Sequence, residues 1–370
     1  MNAPSRNVSV EDIARACKGL EEETVAMLSD LVRLDSTLGS EAHAQDYMAR
    51  AFENLGLSVD RFEIELDVIE RHPGFSPVDW SYAGKENVVA AHRPRTNAGR
   101  SLILNGHIDV VPTGPTDMWT DPPFEPVIRD GRLYGRGGGD MKAGIVAYCM
   151  AFKALGRLGV QPAAPVYMQS VIEEECTGNG ALACLARGYT ADAAIIPEPF
   201  DGTLMTAQMG VMWFQVHVRG KPAHVRDTSA GVNAIEAAFD LVQALKRLET
   251  RWNAAEARHP SYVGETHPIN FNLGIIRGGE WASSVPTECS FHMRVGFFPG
   301  VSPADIRRRI EETIREAAEA HPALRETPPR IAYVGFQAAG CTVEREGDMM
   351  RTLAGAHERT TSRVPVYRTT

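Results

Sequence analysis

At 370 residues the chain exceeds what one small core usually holds, so two domains are the default reading. Its formal net charge of -9, with acidic and basic residues interspersed and no basic block, argues against nucleic acid as a partner. No apolar run reaches the roughly 18 residues of a membrane span, and the start (MNAPSRNVSVEDIARACKGLEEETV) has no signal-peptide core, so the expectation is a soluble, cytoplasmic protein with no membrane partner. The six cysteines (Cys17, Cys149, Cys176, Cys184, Cys289 and Cys341) form no CxxC pair, which favours free thiols over a disulfide scaffold or a thiolate metal site.

In chain order, residues 9 to 60 read as amphipathic helix. Ser9 followed by Asp12 resembles a capping box, and Met27, Leu31 and Leu34 recur at helical spacing. Residues 61 to 98 alternate and carry turn residues, consistent with strands and a loop without identifiable chemistry. The informative stretch follows. The run Leu102, Ile103, Leu104 leads to His107 and Asp109, two apart, and a glycine-rich turn ends at Asp140 before a helical pattern from Met141 that buries Ile145, Cys149 and Phe152. Residues 165 to 172 (PVYMQSVI) are a second β-prone run, followed at once by Glu173, Glu174 and Glu175. Residues 193 to 196 are a third, followed by Pro197 and Glu198. A lone His-x-Asp pair is common in turns, but three runs that each deliver His or Glu at their C-terminal ends fit a crevice where strands end and loops begin. An imidazole beside a carboxylate suits a metal ligand held in one tautomer. Cys176 reads as a neutral neighbour of Glu175, since carboxylates already supply harder ligands.

The pattern changes from Val211. In VMWFQVHVRG, Phe214, Val216 and Val218 alternate with Gln215, His217 and Arg219, which predicts a strand with one buried face and leaves His217 a solvated sheet residue. A helix is predicted over 231–250, strands near 269–276 and 287–295, a helix from Ser302 with Pro303 and Asp305 in its first turn, and a strand near 330–334. This βαββαβ order suggests an inserted α+β domain, a four-stranded antiparallel sheet with two helices on one face. Residues 348 to 360 read as helix and contain His357; His259, His267, His292 and His321 have no supporting context.

Several motifs together carry a resemblance. NGHIDVVP, PPFEPVIRDGRLYGRGGGDMKAG, the EEE run with GNGA behind it, PEP around Glu198, GKPAHV around His224, and GGEWASSVPTECSFHMRVGFFPG stand in the order, and at the spacing, of one family. The chain resembles the dinuclear zinc amidohydrolases and metallopeptidases that include aminoacylase, acetylornithine deacetylase, succinyl-diaminopimelate desuccinylase and glutamate carboxypeptidase. The resemblance implies an α/β catalytic domain whose mostly parallel sheet carries helices on both faces, split as residues 1–210 and 338–370, with a lid and dimerisation domain over 211–337. It implies that His107 and Glu198 bind one divalent ion, that Glu175 binds a second, that Asp140 bridges the two, and that the Asp140–Met141 peptide is cis. Asp109 would orient His107, Glu174 would be the general base, and His224 would stabilise an oxyanion from the partner subunit's lid, hence a homodimer. A one-residue slip at the EEE run would move the base and ligand roles to Glu173 and Glu174. Arg294 is a candidate grip for a substrate carboxylate, with Asn233 and Asn272 as weaker ones. Zinc, cobalt and manganese all suit such O and N donors.

The resemblance also implies that a histidine from a C-terminal strand and loop completes the second metal, yet the sequence ends at Thr370 and His357 in its helical stretch is a poor substitute. The expectation is therefore a complete first site, a second site short of one ligand, and an exposed sheet edge or apolar groove. The function expected is metal-dependent cleavage of the amide of an N-acyl amino acid or similar small carboxylate. The alternatives are a carboxypeptidase or dipeptidase of the same design, or a catalytically impaired dimer that binds a small carboxylate or a metal.

Overall fold

The structure is a computed structural model and describes residues 8–370; the first seven residues of the expected catalytic domain, and of the stretch read for a signal core, lie outside the described residues. The chain divides into two compact units. One comprises residues up to Phe75, Trp80–Leu204 and Glu346–Val366; the other comprises Ser76–Asp79, Met205–Arg345 and Tyr367–Thr370.

The first unit opens with three helices, α1 (Val10–Lys18), α2 (Glu21–Arg33) and α3 (Ala42–Asn54). Ser9 and Asp12 form the expected capping box, each satisfying a backbone N–H that the first turn of α1 leaves without an intrahelical partner. Five strands follow: β1 (Ser58–Glu63), β2 (Glu86–His92), β3 (Leu102–His107), β4 (Val166–Val171) and β5 (Ala193–Ile195). They form a sheet in the order β1-β2-β4-β3-β5. The β4–β3 and β3–β5 pairs are parallel; β2 is antiparallel to both neighbours, so four of the five strands run the same way. Two crossover helices, α4 (Ala143–Arg157) and α5 (Asn179–Ala186), connect the parallel strands. They lie on opposite faces of the sheet. His92 of β2 stacks edge-on against Phe152 of α4, whereas Asn87, an odd number of residues away and so on the other face, donates to the Gly180 carbonyl of α5.

Residues 61–98 hold strand and loop as their pattern suggests, the strand being the buried β2, and add one helical turn, Leu66–Ile69, that it does not. Helix α4 begins at Ala143 and not at Met141, because Asp140 and Met141 have non-helical backbone angles. Helix Asp348–Thr361, which contains His357, closes the described part of this unit.

The second unit is a sheet of β6 (Gly210–Arg219), β7 (Phe271–Gly278), β8 (Glu288–Phe297) and β9 (Arg330–Ala332), all antiparallel, in the order β7-β8-β6-β9, with Gln337–Ala338 also pairing β6. Phe214, Val216 and Val218 are buried as their alternation predicts. They pack with Phe271, Phe291 and Phe297 against α6 (Ala234–Trp252) and α7 (Pro303–Ala320), from which Leu241, Leu245, Ile306, Ile310 and Ile314 enter the same core. Each such side chain taken out of water contributes about 1.5–3 kcal/mol. Asn233 and Ser302 cap the two helices, and Pro303 supplies the fixed φ of a first turn.

Candidate metal centre

Strand ends build the site. His107 is the last residue of β3, Glu173 to Glu175 follow β4 after a single residue, Ile172, and Glu198 lies three residues beyond β5. Since β4, β3 and β5 are parallel neighbours, their C-terminal ends share one edge of the sheet. Asp140 arrives from the turn before α4. The close approach of that helix to the segment bearing Glu198 requires Gly144, where a Cβ would stand 2.3 Å from the Pro197 carbonyl oxygen. Gly180 plays the same part on the opposite face, where a Cβ would stand 2.1 Å from the Ile172 carbonyl oxygen just before the glutamate run.

The His107 Nε2 atom lies 3.2 Å from Asp140 Oδ1, 3.7 Å from Glu198 Oε1 and 3.8 Å from Glu174 Oε2. Among the described residues, His107, Asp140 and Glu198 are the one group of three whose donor atoms all lie within 4.8 Å of one another. Donors bonded to one ion at about 2.0–2.2 Å stand roughly 3–4 Å apart, so the set fits a divalent cation. Electrostatics agree. Burial works against a charge on His107, but the Asp140 hydrogen bond and the carboxylates of Asp109, Glu174 and Glu198 outweigh it and push the imidazole up to about 10. Burial, reinforced by the surrounding carboxylates and only partly offset by His107, pushes Glu175 and Glu198 up to about 7. The same burial raises Glu174, whereas the His107 hydrogen bond holds Asp140 below its ordinary value. Five carboxylates thus crowd one imidazole, and the positive charge they call for is what a divalent ion would provide. The Asp140–Met141 peptide is cis.

Asp109 does more than its pairing with His107 suggests. The ring Nδ1 lies 2.9 Å from the Asp109 backbone carbonyl and 3.6 Å from its carboxylate. The carboxylate, buried in the protein, instead accepts the backbone N–H groups of Glu174 at 3.2 Å and Glu175 at 3.1 Å. Burial lifts it to about 6, against the pull of His107 and those two amides.

Glu173 turns the other way. Its fully buried carboxylate accepts from Trp80 Nε1 at 2.6 Å, the Tyr82 hydroxyl at 2.6 Å and the Thr177 hydroxyl at 3.0 Å, with Lys85 Nζ at 3.7 Å. The loop that carries no motif therefore supplies the anchor beneath the glutamate run. The signal that marks it is the clustering of Trp80, Tyr82 and Lys85 just before β2. Lys142, also fully buried, donates to the carbonyls of Leu31 and Leu34 at 2.9 Å each, tying the turn that bears Asp140 to the end of α2. All six cysteines are free, and burial raises the Cys176 thiol far above its ordinary range.

The remaining candidates belong to the second unit. His224 is exposed, and its Nδ1 accepts the Arg226 N–H. Asn233 Oδ1 is engaged as the cap of α6, accepting from Ile235 and Glu236. Arg294 lies on the sheet face away from the helices, with Asn272 and Trp213 as its cross-strand neighbours.

Residues 103–341 match the profile of peptidase family M20/M25/M40. The N-formyl-4-amino-5-aminomethyl-2-methylpyrimidine deformylase of Halalkalibacterium halodurans is 30% identical over 339 residues, covering 88% of this chain and 75% of that protein. The succinyl-diaminopimelate desuccinylase of a Caulobacter species is 28% identical over 358 residues, covering 94% and 83%. Among solved structures, a dipeptidase of Saccharomyces cerevisiae superposes with a TM-score of 0.74 at 12% identity, covering 98% of this chain and 86% of that one. A metallo-carboxypeptidase from Sulfolobus solfataricus gives 0.70 at 14% identity, covering 94% and 85%; at such identities the likeness is one of fold. No helix among the described residues is long and apolar enough to cross a membrane.

Proposed function

The chain belongs to peptidase family M20/M25/M40, a family of metal-dependent hydrolases, and from that premise we propose that it cleaves the amide of a small N-acyl compound. The carrying observation is the placement of the Glu174 carboxylate 3.8 Å from the same His107 nitrogen that Asp140 and Glu198 surround, a fourth acceptor group beside the three donors suited to a cation. His107, Asp140 and Glu198 would hold one divalent ion, and Asp140 with Glu175 a second; zinc is the first choice, with cobalt and manganese equally compatible with the donors. When bound, such ions supply Lewis acidity toward an amide carbonyl and toward water.

The residues of the chain do the rest. Glu174 takes a proton from the attacking water as the new C–O bond forms, and passes it to the nitrogen as the C–N bond breaks, leaving a carboxylic acid and an amine, between which the remaining acidic proton passes to give carboxylate and ammonium. Asp109, through the amides of residues 174 and 175, fixes where that base stands. We assign the first unit to catalysis and the second to a lid and dimerisation role, with His224 offered across a homodimer as an oxyanion donor. Arg294 is the proposed grip for a substrate carboxylate, and Asn233 a secondary polar contact.

A small acyl group is favoured because the relatives matched over most of the chain are named for removing formyl and succinyl groups. The test is metal content per chain together with hydrolysis of N-formyl, N-acetyl and N-succinyl amines and of unblocked dipeptides. Turnover of the acyl compounds with bound zinc supports the reading. Turnover of the dipeptides alone turns it to the peptidase alternative, and metal without any turnover turns it to a binding protein.

A further inference from the structure

The face of the second unit's sheet turned away from α6 and α7 carries a polar row that the proposed chemistry does not use. In the strand register Arg277 of β7 stands opposite Ser290 of β8, Ser290 opposite His217 of β6, and His217 opposite Arg330 of β9. Directly opposed residues project to the same face. All four line one cavity of about 570 Å³, within the range of small-ligand pockets. With strands about 4.8 Å apart, the outer two Cα atoms stand roughly 14 Å apart, so a long side chain from each end can converge over the central pair.

Each of the cavity's two acids has a neighbour of its own, though the Glu288 pair is at the outer limit of an ion pair. Glu288 lies 4.0 Å from Arg219, and Glu280 accepts from both the amide and the hydroxyl of Thr287. Arg277 and Arg330, both exposed, have no carboxylate partner among the described residues. The field of Arg277 is felt nearby. His292, two residues from Ser290 on the same face, is held below its ordinary range by burial and then by Arg277 and His217, with Asp79 opposing.

We propose that the row Arg277–Ser290–His217–Arg330 binds a compact oxyanion of charge two or more, the phosphate of a small molecule or a polycarboxylate. Each guanidinium presents a planar fork that matches two oxygens of such a group, and the Ser290 hydroxyl and the His217 ring donate between them. Lysine at either end would keep the charge but lose the paired geometry.

Titration calorimetry of the full chain with sodium pyrophosphate and, separately, with citrate at constant ionic strength tests the site. One anion per chain is expected to bind saturably, with affinity about tenfold or more weaker in Arg277→Gln and in Arg330→Gln and unchanged in Arg315→Gln, an exposed control on α7. Stronger binding of pyrophosphate identifies the phosphate class, and stronger binding of citrate the polycarboxylate class. Both probes also chelate divalent metals, so binding that persists undiminished in the two variants places the anion at the metal centre and overturns the proposal. Absence of saturable binding up to roughly 10 mM overturns it as well.

Discussion

Glu173, Glu174 and Glu175 are identical in type and consecutive, yet the fold gives them different surroundings. At Glu173 the backbone φ is +63°, in the left-handed region that non-glycine residues rarely adopt. The turn sends that side chain down to Trp80, Tyr82 and Thr177 and leaves the next two amides facing Asp109. The reading that would make Glu173 the base therefore loses its geometry, since the carboxylate is taken up by three donors. Two substitutions separate the roles. Glu174→Gln is expected to keep its metal, measured by elemental analysis, while kcat falls by a factor on the order of 10² or more; unchanged turnover would remove Glu174 from the mechanism. Glu173→Gln turns an amide NH₂ toward the donors and is expected to cost about 2 kcal/mol or more in denaturant unfolding. An unfolding curve that matches the parent would show that the anchor carries no stability.

At the scale of elements, parallel strands concentrate the chemistry, because each ends on the same edge and each loop can lay one ligand there. In the other unit, helix α6 is tied to β7 by a polar cluster. Glu249 accepts from Lys246, from the Phe271 N–H at 2.9 Å and from His267 at 3.2 Å. Burial alone would raise its pKa, but these three partners outweigh it and hold the carboxyl below its ordinary value. A carboxyl that is more acidic folded than unfolded stabilises the fold above its unfolded pKa, near 4.3, and that stabilisation disappears as pH falls through the folded value. Glu249→Gln is thus expected to lower stability by about 1–3 kcal/mol at pH 7, with the gap to the parent closing below about pH 4. Thermal melts of both proteins from pH 3 to 8 check this, and a gap that is constant with pH excludes the ionic contribution.

At the scale of the whole molecule, the centre is a cost without its cation: His107 is driven to hold a proton, and Glu175 and Glu198 are pushed to about 7. A divalent ion held by the proposed ligands would relieve that repulsion and so favour the folded arrangement that brings them together. Linkage then predicts a stabilisation of about 3–4 kcal/mol when free metal exceeds its dissociation constant by 100- to 1,000-fold. Chelation with EDTA should lower the melting temperature and added zinc should restore it, scaling with zinc concentration. A melt indifferent to both would mean that His107, Asp140 and Glu198 do not hold an ion.

The residue types and their order determined the class of the protein: His107 and Glu198, each after a β-prone run, Asp140 at the end of a glycine-rich turn, and the motif series from NGHIDVVP to the SVPTECSFHMRVG strand, were enough to name the family. The alternation of Phe214, Val216 and Val218, the Ser9 and Ser302 caps and the βαββαβ order were equally legible, because they depend on neighbours within a few residues. What the tertiary structure alone decided depends on contacts between distant segments. Glu173 meets Trp80 and Tyr82 across more than 90 positions, Lys142 meets Leu31 across 111, and the Asp109 carboxylate reaches the amides of a loop 65 residues on. The row Arg277–Ser290–His217–Arg330 exists only once the register of four strands is set, since a slip of one residue would turn every member to the opposite face.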